Sequence, residues 1–103
     1  MKLKSIFLAF IFTAVMSPAM AQVQVKSEEL SISDDTGRTY TYSVLMECRS
    51  NICAGLVKFI DSKPDLIPAE IFCASQIMFE AVEKIMAEND VLDYEKKFAC
   101  GAA

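Results

Sequence analysis

The sequence predicts a small α+β domain that is mainly helical: an N-terminal β-hairpin followed by three short helices, stapled by two disulfide bonds. Three observations lead to this fold class. Apolar residues alternate on both sides of a turn signal at residues 34–37, and from residue 44 onward they recur at a spacing of three and four. Four cysteines then follow between Cys48 and Cys100, an even number in a short chain.

The hairpin is predicted over about residues 22–43. Leu30 and Ile32 precede the turn signal DDTG, and Tyr40 and Tyr42 follow it at the same two-residue spacing. Aspartate early in a four-residue turn and glycine at its end are typical of a connection between two antiparallel strands.

The helical part is predicted over about residues 44–100. A first helix runs from Val44 to near Asp61, where one face collects Leu45, Cys48, Ile52, Leu56, Phe59 and Ile60. Two prolines, Pro64 and Pro68, then predict a loop, and Pro68 suits the first turn of a second helix.

The second helix is predicted to end at Ala87. Its apolar side keeps a helical spacing and comprises Ile71, Phe72, Ser75, Met78, Phe79, Val82, Ile85 and Met86. A break at residues 89–90 precedes a short third helix, which ends at residues 100–101 and carries Val91, Tyr94 and Phe98.

The N-terminus has the pattern of a secretory signal peptide, residues 1–21. Two lysines precede an apolar stretch at residues 6–15, and Ala19-Met20-Ala21 is a small-x-small cleavage signal before Gln22. The apolar stretch is about half of the ~20 residues that a membrane-spanning helix needs. We therefore expect a single exported domain, residues 22–103, in the periplasm of a Gram-negative bacterium and without stable membrane insertion after cleavage. Full secretion is the alternative.

The predicted mature chain is acidic. Residues 22–103 hold 8 basic and 14 acidic side chains, a net charge of −6. Because contacts to phosphates dominate the affinity for nucleic acids, this charge argues against a nucleic-acid partner.

The cysteines are predicted to form two disulfides, since small exported domains commonly depend on such cross-links. A zinc site typically uses Cys-x-x-Cys pairs, and a dithiol redox site needs the same motif. The sequence contains no Cys-x-x-Cys. On one helix, Cys48 and Cys53 would be separated by about 7.5 Å of rise, too far to pair. Comparing heights along the predicted helices favours Cys53–Cys73 and Cys48–Cys100.

The sequence offers no catalytic, metal or cofactor site. It lacks histidine, which removes the common triads and the commonest acid/base at neutral pH, and its three glycines form no phosphate-binding loop. The adjacent carboxylates at residues 28–29 and 34–35 are more typical of a solvated surface. We expect a protein that is not an enzyme and that works by binding.

The run CRSNICAGLVKF, then FCASQIMF and a last cysteine after YEKKFAC, resembles the TrbM/KikA family of small exported conjugal-transfer proteins. The resemblance covers Cys48 to Cys100, about half of the chain. It departs from the family in the hairpin before the first cysteine and in the short distance from Cys73 to Phe79. It implies a periplasmic accessory of plasmid conjugation through a type IV secretion channel, acting by contact with protein partners in the cell envelope.

Two other classes fit the same outline. A periplasmic immunity protein that inhibits a type VI amidase effector would also be small, exported and disulfide-bonded. It would need a protruding loop or an apolar patch, for which residues 61–68 are the candidate. An HdeA-like acid-activated chaperone would fit the negative charge, although HdeA has a single cysteine pair.

Overall fold

The computed structural model describes residues 22–103, and the predicted signal peptide lies outside these residues. The described chain folds into five strands and two helices, in the order β1 (Val23–Lys26), β2 (Leu30–Ser33), β3 (Thr39–Arg49), β4 (Ile52–Lys63), α1 (Ala69–Cys73), α2 (Gln76–Glu88) and β5 (Glu95–Ala102). Strands hold about twice as many residues as helices. The prediction of a mainly helical domain with three helices is therefore wrong.

One mixed sheet contains all five strands. Its main path is β1-β3-β4-β5, and β2 pairs with the other end of β3, so β1 and β2 follow one another along the same edge. β3 is antiparallel to β1, β2 and β4, whereas β5 runs parallel to β4. Both helices lie in the connection between β4 and β5, as a parallel pair requires.

The hairpin formed by β2 and β3 confirms the predicted turn and register. Leu30 lies opposite Tyr42 and Ile32 opposite Tyr40. The strand does not stop at residue 43, however, because β3 continues to Arg49.

The predicted first helix, residues 44–61, is a second hairpin made by the end of β3 and by β4. Ser50 and Asn51 connect the strands, and both have positive φ, 55° and 67°. Two consecutive residues with positive φ are the mark of a type I′ turn, whose twist matches that of the flanking strands. The prediction of a helical part over residues 44–100 is therefore wrong for this segment.

The predicted second helix exists but is broken. Pro68 precedes α1, which ends at Cys73, and α2 begins after Ser75, whose extended backbone interrupts the helical path. Helix α2 ends in a Schellman motif, in which the Val91 N–H donates to the Met86 carbonyl and the Asp90 N–H to that of Ala87.

The predicted third helix is strand β5. Its register places Phe98 opposite Gly55 and Cys100 opposite Val57, so these side chains lie on the face of the sheet that the helices cover. Phe98 and Cys100 are half-buried against the core.

The hydrophobic core lies between the two helices and this covered face. From the strands it receives Tyr40, Tyr42, Val44, Met46, Cys48, Cys53, Val57 and Phe59, and from the helical segment Phe72, Met78, Ala81, Val82, Ile85, Met86 and Val91. Met46, Met78 and Met86 are all buried in this core.

Phe72 is the centre of the core. Its ring is fully buried and stacks on Phe59 with centroids 4.7 Å apart, and the rings of Tyr40 and Tyr42 lie 5.7 and 6.1 Å away. The short helix α1 therefore anchors the helical layer through a single aromatic side chain.

Candidate contact surfaces

Both disulfides lie on the covered side of the sheet. Cys48 and Cys53 face each other across the second hairpin, with Cα atoms 4.0 Å apart, and Cys73 on α1 reaches Cys100 on β5 over 5.6 Å. The prediction that all four cysteines form two disulfides is confirmed. The predicted pairing is wrong because it rested on a helix through residues 48–53, where the chain is a tight hairpin. Two such bridges are typical of proteins that mature outside the reducing cytoplasm.

The other face of the sheet carries no helix of the described chain, and we call it the open face. Alternate residues of each strand point to it. On its central strands lie Leu45 and Leu56, which are directly opposite each other in the ladder. The Leu45 side chain is 56% exposed, an unusual exposure for a leucine in the middle of a sheet.

A ladder row crosses the open face through four strands. It runs from Lys26 on β1 through Leu45 and Leu56 to Ala99 on β5. The row gives the face an apolar centre with an ammonium group at one end. An open concavity of about 810 Å³ lies over this part of the sheet, and it is lined by residues 24–26, 45–47 and 54–56.

Two carboxylates of the open face are paired with cations of the same face. Glu47 lies 3.4 Å from Arg49, and it also accepts a hydrogen bond from Gln24. Glu95 lies 3.4 Å from Lys97 on β5. These contacts are exposed and add little to stability, but they locally balance the charge of both carboxylates.

The cations nearest the apolar centre of the open face, unlike Arg49 and Lys97, are not paired with carboxylates of the described chain. Lys26 and Lys58 border a small hollow with Leu45 and Leu56, and neither lysine makes a salt bridge within residues 22–103. The middle of the open face therefore combines exposed leucine with two free ammonium groups.

The outer side of the helical layer has the opposite charge, and we call the exposed surface of residues 69–94 the acidic face. Its exposed charged side chains are Glu70, Glu80, Glu83, Lys84, Glu88, Asp90 and Asp93. Six carboxylates against one ammonium give this segment a net charge of −5. Phe79 stands among them with 54% of its surface exposed.

The loop at residues 64–68 is held in shape by one buried hydroxyl. Ser62, which is fully buried, donates its O–H to the Asp65 carbonyl at 2.6 Å and accepts the Ile67 N–H at 3.0 Å. Between these anchors Leu66 projects from the protein with 79% of its surface exposed. Of the candidate inhibitory segment, residues 61–68, the first three residues thus belong to β4, and the remaining loop presents Leu66 as its most exposed large apolar side chain.

The carboxylates that the sequence offered for acid/base chemistry do not form a catalytic pair. Asp34 caps its own turn, where it accepts hydrogen bonds from the Thr36 hydroxyl and N–H, the Arg38 N–H and the Tyr40 hydroxyl. These bonds, above all that from Thr36, lower the pKa of the Asp34 carboxyl from 3.8 to about 2. Asp34 is therefore a structural acceptor, and Asp35 beside it is exposed, as are Glu28 and Glu29.

Within residues 22–103, no three histidine, cysteine, aspartate or glutamate side chains come together as ligands for a metal ion. In the same part of the chain, neither helix is long and apolar enough to cross a membrane.

Sequence reasoning missed the open face. The signal there is weak: the buried residues Val44, Met46 and Cys48 alternate with the exposed residues Leu45 and Glu47, but Leu45 is itself apolar, so the two-residue pattern typical of a strand is not clean.

No protein-family model, no curated protein and no solved structure matches the chain. The chain is therefore described by its own structure: a mixed β-sheet with a helical layer on one face, held by two disulfides, with exposed lysines beside the leucines of the open face and exposed carboxylates on the helical layer.

Proposed function

We propose that this protein is a non-catalytic binding protein of the periplasm that contacts a protein partner through the open face. The observation that carries the proposal is the exposure of Leu45 at the centre of a concave sheet surface that no described element covers. Leu45 is contiguous with Leu56 and Ala99 in the same ladder row, and an apolar patch with a polar rim is characteristic of a protein contact site.

The charges near Leu45 define the chemistry of the partner. Lys26 and Lys58 flank the apolar centre without partners of their own, so a segment that combines an apolar side chain with carboxylates would satisfy both. A nucleic acid is a poorer fit, because the net charge of −6 over residues 22–103 opposes a polyanion.

The periplasmic location is supported by two independent features. The N-terminal sequence has the pattern of a cleaved signal peptide, and the described chain holds all four cysteines in disulfides.

Within this class, the more specific proposal is an accessory of plasmid conjugation through a type IV secretion channel. It rests on the resemblance of the segment Cys48 to Cys100 to the TrbM/KikA family. The resemblance lies in the order of the cysteines and in the residues around them. A protein that acts by contact inside the envelope needs no active site, which agrees with the surfaces described above.

Plasmid transfer tests this proposal. Deleting the gene should lower the transfer frequency and leave plasmid replication unchanged. Complementation with Leu45→Asp should restore the amount of folded protein but not transfer, because a carboxylate at the centre of the open face would repel an acidic partner. Leu66→Asp, at an exposed leucine of the loop 64–68 and outside both the open face and the helical segment, is the matched control and should restore transfer. Normal transfer with Leu45→Asp would contradict a role for the open face.

A second candidate function is inhibition of a periplasmic amidase, and the loop at residues 64–68 is the observation that favours it. Ser62 holds the loop in one shape and Leu66 projects from it, as a side chain that plugs an enzyme cleft would. Leu66→Asp should abolish protection against such an amidase, whereas Leu45→Asp should not. Loss of protection with Leu45→Asp alone would exclude the loop as the inhibitory element.

A further inference from the structure

The charge of the described chain is unevenly distributed between its two sides. Residues 69–94 account for −5 of the net charge of −6, and all seven of their charged side chains are exposed. The remaining residues are nearly neutral. Lys26 and Lys58, which border the leucines of the open face, make no salt bridge within residues 22–103.

The two sides also carry exposed apolar groups at the centre of their charges. On α2, Phe79 lies one residue from Glu80 and one helical turn from Glu83, so these side chains share the outer surface of the helix. On the open face, Leu45 lies beside Lys26 and Lys58. One surface thus presents an aromatic ring among carboxylates, and the other presents a leucine among ammonium groups.

These two surfaces point in opposite directions. The helices pack on one face of the sheet, so the acidic face is directed away from the sheet on one side and the open face is directed away on the other. A contact between them cannot form inside one molecule. Between two molecules it joins unlike patches, which makes it a heterologous contact that leaves one free surface of each kind at the ends.

We propose that copies of this chain associate head to tail, with the acidic face of one copy seated on the open face of the next. This inference rests on the proposed function, since it names a second copy of the chain as a partner of the open face. Phe79 of one copy would lie against Leu45 and Leu56 of its neighbour, and Glu80 and Glu83 would meet Lys26 and Lys58.

The packing of the protein itself supports helices as the occupant. The covered face of the sheet already receives α1 and α2, because a helix and a sheet can each bury an apolar surface against the other. Head-to-tail contact would repeat this kind of packing on the open face, with the helical layer of a neighbour in place of the chain's own.

Sedimentation velocity of the purified residues 22–103 in the oxidised state tests the inference. The average mass should increase with protein concentration, and raising the salt from 20 to about 500 mM should weaken association at least tenfold, because salt screens the charges between exposed surfaces. A wild-type protein that stays monomeric at every concentration at low salt would overturn the proposal.

Two double variants test the geometry. Lys26→Glu/Lys58→Glu removes the positive open face, and Glu80→Lys/Glu83→Lys removes the negative charge around Phe79; each variant alone should be monomeric. Mixed in equal amounts they should form a one-to-one complex, since one still has its acidic face and the other its open face. Glu28→Lys/Glu29→Lys, at exposed positions between β1 and β2, is the control and should associate like the wild type.

Self-association of Glu80→Lys/Glu83→Lys alone would overturn the head-to-tail arrangement, because a contact between two open faces would survive that change. Circular dichroism and an absence of free thiols establish that each variant is folded. The inference can fail separately from the proposed function: a monomeric wild type combined with loss of transfer in Leu45→Asp refutes the former and keeps the latter. If Leu45→Asp abolishes self-association while transfer stays normal, the head-to-tail inference is kept and the proposed function is refuted.

Discussion

The covered face and the open face belong to the same strands, yet they are built from different side chains. Val44 and Leu45 are neighbours in β3, and the first is almost fully buried while more than half of the second is exposed. The covered face holds the aromatic rings and both disulfides, and the open face holds leucines and free lysines. Alternate residues of one strand therefore differ in burial, so stability and the proposed contact role are separable by mutation.

The largest expected difference concerns two phenylalanines of the helical segment. Phe72→Ala should lower the free energy of unfolding by about 3–5 kcal/mol, because it empties the centre of the core. Phe79→Ala, at an exposed position, should change it by less than about 0.5 kcal/mol. Urea denaturation measures both. Similar losses in the two variants would mean that the helical layer is not anchored through Phe72.

The two disulfides should contribute unequally. The bridge Cys73–Cys100 spans 27 residues and Cys48–Cys53 spans 5, so restriction of the unfolded chain predicts about 3.5 and about 2 kcal/mol. Each value can be read as the loss on reduction of a variant in which the other pair is replaced by alanine, which removes the effect of the substitution itself. Equal losses would contradict the dependence on loop length. Peptide mapping without reduction should recover these two pairs and no others.

Two glycines of the sheet differ in the space around them: Gly55 lies on the central strand β4, and Gly101 lies on the edge strand β5. A Cβ at Gly55 would collide with the Leu45 carbonyl oxygen on β3, whereas a Cβ at Gly101 would meet no atom within 4 Å. Gly55→Ala should therefore cost about 1–3 kcal/mol, as overpacking does, and Gly101→Ala should be close to neutral. Thermal unfolding of the two variants provides the comparison, and an unchanged midpoint for Gly55→Ala would refute the close approach of the strands.

Acid should destabilise the first hairpin through Asp34. Its pKa in the folded protein is about 2, below the value of 3.8 for the free side chain, so the ionised form favours folding. This contribution is complete above about pH 4 and is lost as the pH falls toward 2, because the unfolded chain takes up the proton first. The unfolding free energy of Asp34→Asn should fall less steeply over this range than that of the wild type. Parallel curves for the two proteins would count against the turn network.

The smallest effect on stability is expected on the open face. Leu45→Ser should change the free energy of unfolding by no more than about 0.5 kcal/mol, since the side chain is exposed. Val44→Ser, one residue earlier and facing the core, should cost several times as much because it places a hydroxyl in the apolar interior. Urea midpoints decide the matter, and a large loss for Leu45→Ser would show that something covers this face in the folded protein.

The part of the fold that could be predicted is the part with unambiguous local signals. The turn at residues 34–37 set the register of β2 and β3, and the spacing of Phe72, Met78, Val82 and Ile85 indicated helix. Even there, the break at Ser75 divides the helical segment in two.

The second hairpin could not be recognised because both of its faces carry apolar residues. Leu45, Ile52, Leu56 and Ile60 lie on the outer side of β3 and β4, so the sequence shows no clean alternation of apolar and polar positions. A register irregularity opposite residues 41–42 shifts the pattern once more. Together with the inner residues, these side chains imitate the spacing of a helix. The wrong prediction of a helix and the failure to detect the open face thus have the same cause, which is the presence of apolar residues on the exposed side of both strands.

The candidate site was correspondingly less predictable than the disulfides. The signal peptide and the even number of cysteines were enough to predict the number of disulfides. The pairing of the cysteines, however, depends on which elements are neighbours in space. Cys48 and Cys53 flank a two-residue turn, which brings them directly opposite each other only in a hairpin.

The parallel pairing of β4 with β5 has a consequence for the order in which the protein assembles. The two antiparallel hairpins join neighbouring stretches of chain, and such contacts form within microseconds. β5 instead has to wait until residues 64–94 have been made and folded back over the sheet, and until then one edge of β4 presents unpaired backbone groups. The bridge from Cys73 to Cys100 ties this late strand to α1, so we expect oxidation to hold β5 in place once it has paired with β4. A chain in which β5 has not yet paired would present the edge of β4 to other chains, which is a route to aggregation.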